Sequence, residues 1–136
     1  MLTTGIKGTL ERTVTEEVTA KAMGSGELPV FATPAVVALA EECAWKSVAG
    51  ELEEGQGTVG TRMELSHLAA TPLGMTVRCE TELVEIDRRK LVFTIAAYDG
   101  VDIAKLDPIL VDPSADTYHR VGECVGKIFC DGLKLK

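Results

Sequence analysis

Between Thr33 and Gly50 the chain holds a helix-forming stretch with almost no wet face, and the other segments must be arranged around it. The Thr33 side chain suits an N-cap, and Pro34 suits the first helical position, where its missing N–H costs nothing. Ala35 to Val48 continues without a breaker, and Gly50 is placed to end the helix. Val36, Val37, Leu39, Ala40, Cys43, Ala44, Trp45 and Val48 cover most of its circumference, so the sequence predicts a helix buried on nearly all sides. Glu41 interrupts this surface, on a stripe with Val37, Ala38, Ala44, Trp45 and Val48.

The flanking segments alternate with period two, as strands of a half-buried sheet do. Ile6, Gly8, Leu10 and Arg12 share one parity of a first strand running to Val14. Thr15 to Met23 reads as a short helix or an irregular crossing, broken by Gly24-Ser25-Gly26. After the acidic loop Glu51 to Gln56, Thr58 to Leu65 alternates again. Val59, Thr61, Met63 and Leu65 fall on one face, and Gly60, Arg62, Glu64 and Ser66 on the other. His67 continues the Val59/Met63/Leu65 parity, which directs its imidazole to the core side. Thr71-Pro72-Leu73-Gly74 is a turn. Met75 to Ile86 and Lys90 to Tyr98 form a hairpin joined at Asp87-Arg88-Arg89. Its inner faces are Val77, Cys79, Thr81 and Leu83 on one arm, and Leu91, Phe93, Ile95 and Ala97 on the other. Val101 to Asp116 has no sustained period, and Val121 to Cys130 reads as a last strand. The sum is an α+β fold in one domain over 1–136, an antiparallel sheet wrapped on one long helix, with an atypical part from about 101.

A net charge of −7 argues against nucleic acid as a partner, since phosphate backbones need a clustered basic surface. Aromatic residues are 4% of the chain, which weakens any function built on base stacking. The longest apolar run, Ala35 to Ala40, is far short of the ~20 residues that span a bilayer, and the N-terminus lacks a secretion-signal core. No membrane association is therefore expected. Cys43, Cys79, Cys124 and Cys130 form no zinc spacing, so neither metal nor cofactor is expected. They read as buried thiols of a cytoplasmic protein. A Cys124–Cys130 disulfide fits the count of thiols and has no other support.

Three residues on three elements carry groups suited to acyl transfer: the Thr33 hydroxyl, the Glu41 carboxylate and the His67 imidazole. Each has a plainer reading. Glu41 reads equally as a solvated neighbour of Glu42 and Lys46, His67 as a hydrogen-bonded rim residue, Thr33 as an N-cap, and Gly60 as a strand glycine permitting a bulge or exposing its N–H to a ligand. Cys43 reads as core. The Arg88-Arg89-Lys90 run reads as a solvated turn that is also able to meet phosphates. No G-x-S-x-G elbow, phosphate loop or dinucleotide fingerprint occurs.

The order and spacing of these pieces resemble the hot-dog-fold acyl-CoA thioesterases, in particular the fluoroacetyl-CoA-thioesterase-like group. The resemblance runs from about Thr15 to Asp102. It rests on Val30-Phe31-Ala32-Thr33-Pro34, Glu41 eight residues after Thr33, Gly60 seven before His67, His67-Leu68-Ala69-Ala70-Thr71-Pro72-Leu73-Gly74, and Ala97-Tyr98-Asp99-Gly100-Val101. It implies a hot-dog fold, a dimer with active sites at the interface and acyl-CoA substrates. It also implies a catalytic set of Thr33, Glu41 and His67, with Gly60 helping to hold the thioester carbonyl. The family's Gly-x-Gly-Thr-His-x-Arg strand is absent after Asp99-Gly100. Its nearest echo is Thr117-Tyr118-His119-Arg120, which makes Arg120 the candidate substrate-binding arginine.

The expected activity is hydrolysis of a small or medium acyl-CoA thioester, without a cofactor. A non-catalytic acyl-CoA or small-ligand binder on the same fold is the alternative, and a hydratase or dehydratase is a third reading. The unpaired edges of such a sheet, and a helix too apolar for one sheet to cover, predict a homodimer, with a dimer of dimers compatible.

Overall fold

The computed structural model describes residues 2–99 and 124–134. Five strands form one antiparallel sheet: β1 (Lys7–Thr13), β2 (Gln56–His67), β3 (Thr76–Asp87), β4 (Lys90–Tyr98) and β5 (Cys124–Lys134), in the order β1-β3-β4-β5-β2. A short helix α1 (Ala20–Met23) follows a single 3-10 turn at Glu16–Val18, and the long helix α2 (Thr33–Ala49) lies across all five strands. The segment 101–116 and Arg120 lie outside the described residues.

The period-two readings hold for most of the sheet. Val77, Cys79, Thr81 and Leu83 of β3 are buried, as are Leu91, Phe93, Ile95 and Ala97 of β4. They meet Val36, Leu39, Ala40, Cys43, Ala44 and Val48 of α2 in one core. The β3–β4 hairpin closes at Asp87↔Lys90, leaving Arg88 and Arg89 as its two-residue turn. The last strand is present and extends past Cys130 to Lys134. Cys124 and Cys130 are both on it, six residues and about 20 Å apart, beyond disulfide reach.

Three expectations need correction. First, α2 is not buried on nearly all sides: Ala38, Glu41 and Trp45 are exposed and Val37 half-buried, with Trp45 at 48% exposure. Ala44 and Val48, assigned to the same stripe, turn inward instead. Hydropathy counts apolar residues but not the surfaces available to cover them, and one sheet covers only one side. Second, Ala32 is the helix N-cap and Thr33 is already helical, with no side-chain cap. Third, the pairing of β2 with β5 shifts between Gly60 and Arg62, leaving Thr61 without a partner. This bulge reverses the alternation before it. Gly60 therefore shares the helix-facing side with Met63, Leu65 and His67, while Val59 turns outward at 44% exposure.

Candidate active site

Residues 30–32 are clamped between two other segments, and the clamp sets where α2 begins. The Phe31 N–H donates to the Thr71 carbonyl at 2.8 Å, and the Ala32 N–H donates to the Val18 carbonyl at 2.9 Å. The Ala20 N–H donates to the Val30 carbonyl at 2.8 Å, and Val30 bridges Pro72. Phe31, Ala32, Thr19 and Thr71 are all buried, so these bonds are shielded from competing water. The Thr71-Pro72 turn follows β2 directly, and the clamp thus brings the first turn of α2 against the end of that strand.

The result is a hydrogen bond of 2.8 Å between Thr33 Oγ1 and His67 Nδ1, linking residues 34 apart in sequence. Here lies the physical reason for the N-cap correction: the hydroxyl that would have capped the helix is committed to the imidazole. His67 is half-buried, and its ring points to the helix side, as the β2 parity after the bulge requires. Burial pushes the imidazole below its ordinary value of 6.5, which favours the neutral ring. Of its two nitrogens, Nδ1 is occupied by Thr33. Nε2 is left to exchange a proton with a substrate or water.

Glu41 comes to the site from the exposed stripe of α2. Its neighbours Glu42 and Lys46 pair with each other at 2.5 Å. Glu41 itself is exposed, as the plainer reading expected, and makes no ion pair or hydrogen bond with a described residue. Its carboxylate instead lies over Gly60, where an added Cβ would stand 2.7 Å from Oε2. The strand backbone beside it is the bulge, where the ladder is broken at Thr61. Gly60 thus admits the carboxylate close to the strand, where any side chain would displace it.

Within one chain these are two half-sites. Thr33 and Glu41 are eight residues apart on α2, about 12 Å along the helix axis. Gly60 and His67 are separated by about 20 Å of β2. The structure brings Thr33 to His67 and Glu41 to Gly60, but does not bring Glu41 to His67. Arg120 lies outside the described residues. Cys43 is buried against the sheet with 2% exposure, as expected for core. Hydrogen bonds from Cys79 and Thr81 pull its thiol down to about 7 against the opposing effect of burial, but no substrate reaches it. The bulge that the strand-glycine reading of Gly60 allowed is present, and one further feature, a cavity, escaped the sequence reading. The bulge depends on pairing with β5. The cavity at the far end of β2 is assembled from Leu2, the 51–56 loop, the β3–β4 turn and β5.

The class of fold is that of the hot-dog thioesterases. A crystal structure of the fluoroacetyl-CoA thioesterase FlK matches 99% of this chain and 90% of its own, with a TM-score of 0.79 and 28% identity. A Phe-to-Ala variant of FlK in complex with fluoroacetate and CoA matches 98% of this chain and 97% of its own, with a TM-score of 0.79 and 26% identity. A thioesterase-superfamily protein of Thermus thermophilus, 24% identical over 98% of this chain and 85% of its own, shares the fold with a TM-score of 0.76. The model of the fluoroacetyl-CoA-specific thioesterase family matches residues 14–105, and the chain belongs to that family. The fluoroacetyl-CoA thioesterase of Streptantibioticus cattleyicolor is 42% identical over 73 residues, 54% of this chain and 52% of its own length. The chain thus spans about half the length of that curated relative.

Two outcomes follow from this geometry. In a Glu41→Gln protein, the His67 ring followed by NMR titrates below 6.5, because burial disfavours its cation. The folded-state value lies below the unfolded one, so the neutral ring stabilises the fold above pH 6.5 and this contribution is lost as pH falls toward the folded value. A midpoint at or above 6.5 contradicts the buried-ring description. Gly60→Ala displaces the Glu41 carboxylate while its backbone φ suits alanine, so turnover should fall by about tenfold with a melting-temperature change of only a few degrees. Unchanged turnover would separate Glu41 and Gly60 from the chemistry.

Proposed function

We propose that this protein hydrolyses acyl-CoA thioesters to the free acid and CoA, acting in the reducing cytosol. The observation that carries the reading is the Thr33–His67 hydrogen bond, an imidazole fixed by a hydroxyl and left with one free nitrogen. Family membership supports it, as does the carboxylate held over a strand bulge.

In this reading the thioester carbonyl lies beside Gly60, polarised by backbone N–H groups that the broken ladder leaves available. Glu41 attacks the carbonyl carbon, or takes a proton from a water that does so; both routes use the same residues. The C–S bond breaks as the tetrahedral species collapses, and His67 delivers the proton that the departing sulfur takes up. Thr33 holds the ring in position. On the direct route, water then hydrolyses the Glu41 anhydride, and both routes consume one water and yield acid and thiol. Thiolates leave readily, so a site without a metal suffices.

The two half-sites favour a homodimer in which each active site draws on both chains. β2 is an edge strand of twelve residues with Val59 exposed on its outer face, and α2 carries the exposed Ala38 and Trp45 on the stripe of Glu41. Such an edge is a ready surface for antiparallel pairing with a second copy. A two-fold axis passing β2 midway between Gly60 and His67 places Glu41 and Gly60 of one chain against the Thr33–His67 pair of the other. The interface should bury more than ~1,200 Å² in total.

Free-thiol release from a panel of acyl-CoAs, run beside a thermal-shift screen with the same compounds, tests the activity. Release with wild type and a loss of about 50-fold or more in Glu41→Gln, roughly 2.3 kcal/mol of barrier, is the expected result. Thermal shifts without thiol release would identify a binder, and water addition to an enoyl-CoA without release would identify a hydratase.

A further inference from the structure

Cys43 follows Glu41 by two residues and so points to nearly the opposite side of α2, about 200° round the helix. Glu41 reaches over β2 at one edge of the sheet, while Cys43 is buried against β3 toward the other. Its thiol donates to the Cys79 carbonyl at 3.6 Å, and its sulfur stands 3.5 Å from Thr81 Oγ1. With the S–H given to the carbonyl, the Thr81 hydroxyl is the donor and the sulfur the acceptor. Thr81 is only 3% exposed, and a hydroxyl so buried needs a partner.

The helix also comes closest to the sheet here. A Cβ added at Gly8 of β1 would stand 2.7 Å from Ser47 Cβ, 2.8 Å from Thr81 Oγ1 and 3.0 Å from the Cys43 carbonyl oxygen. Gly8 therefore lets this turn of α2 settle onto β1 and β3. Side-chain contacts thus tie α2 to the sheet at Thr33 and again at Cys43, ten residues or about 15 Å along the axis. The apolar contacts around them are non-directional and leave the helix free to roll. A single tether fixes one point of the helix, and a second fixes its roll. Glu41 lies between the two. A roll of about 10° carries a group about 6 Å from the axis through about 1 Å. Misplacement of that size costs up to about a hundredfold in rate.

We propose that Cys43, Thr81 and Gly8 form a positioning seat that fixes the roll of α2 and so holds the Glu41 carboxylate over Gly60. The proposal rests on the reading of Glu41 as the reacting carboxylate. None of the three seat residues touches the substrate; they act through the helix. The seat gives a reason for a thiol and a hydroxyl in a core that is otherwise built from apolar side chains. Apolar packing sets how near the helix lies, and a satisfied polar pair selects one orientation among those that pack equally well.

The test uses the full chain and reads acyl-CoA hydrolysis beside the amide resonance of Gly60, with Glu41→Gln marking how that resonance responds to loss of the carboxylate charge. Thr81→Val, which keeps the shape and removes the hydroxyl, and Cys43→Ala should each lower kcat by about tenfold with KM within about twofold. Both should move the Gly60 resonance, and their combination should cost no more than the worse single change, because the two groups act as one. Cys43→Ser and Thr81→Ser keep donor and acceptor, so each should stay within about threefold of wild-type kcat. Val48→Ala, in the core of the same helix away from the seat, controls for stability: its melting temperature should fall at least as far, with kcat within about twofold. An unmoved Gly60 resonance with unchanged kcat in Thr81→Val and Cys43→Ala overturns the seat, as does a Val48→Ala protein slowed equally. A Gly60 resonance that follows the seat, in a protein releasing no thiol from any acyl-CoA, upholds the seat and overturns the hydrolase reading. Thiol release that needs Glu41 but ignores Cys43 and Thr81 does the reverse.

Discussion

The clamp on residues 30–32 is the constraint from which the rest of the site follows. Three buried backbone hydrogen bonds tie this segment to Val18, Ala20 and Thr71, and they fix both the starting point and the direction of α2. Without them, nothing in the helix itself would set Thr33 against the end of β2. Buried backbone bonds of this kind are costly to break, since each orphaned group loses its partner without regaining water. The Thr33–His67 contact is therefore a consequence of main-chain geometry rather than of the two side chains finding one another. Its rigidity matters chemically, because a proton-transferring imidazole must be held in place to act.

The second constraint is the bulge at Gly60–Arg62. Without it, β2 would present Val59 to the helix and turn Gly60 outward, and Glu41 would meet a branched side chain instead of open backbone. The bulge reverses this and breaks the ladder at the same place. A carboxylate and the side-chain-free backbone of Gly60 are thus set side by side by one irregularity. Glycine is required there for space, not for an unusual φ.

Much of this was legible in the sequence because it depends on local periodicity. The hairpin faces, the helix between Thr33 and Gly50, the inward parity of His67 and the strands on either side all follow from spacing of three or four residues, or of two. What was not legible depends on partners remote in sequence. Thr33 was read as an N-cap because capping and hydrogen bonding to an imidazole ask for the same side chain. Only the position of Thr71, 38 residues further along the chain, decides between them. The bulge requires the register with β5. The exposed stripe of α2, with Trp45 and Ala38 beside Glu41, requires knowing that one sheet covers one side of a helix. That stripe lies beside an open edge strand, and both features are explained if a second chain covers them.

The central claim is that a working site joins Glu41 of one chain to the Thr33–His67 pair of another, and complementation in mixed dimers tests it most directly. Glu41→Gln and His67→Asn chains, each inactive alone, are refolded together in equal amounts and assayed for acyl-CoA hydrolysis. Random pairing makes about half of the dimers mixed, each with one intact site of two, so the account predicts recovery of about a quarter of wild-type activity. No recovery, with mixed dimers shown to form, would mean that both half-sites serve a reaction within one chain and would contradict it.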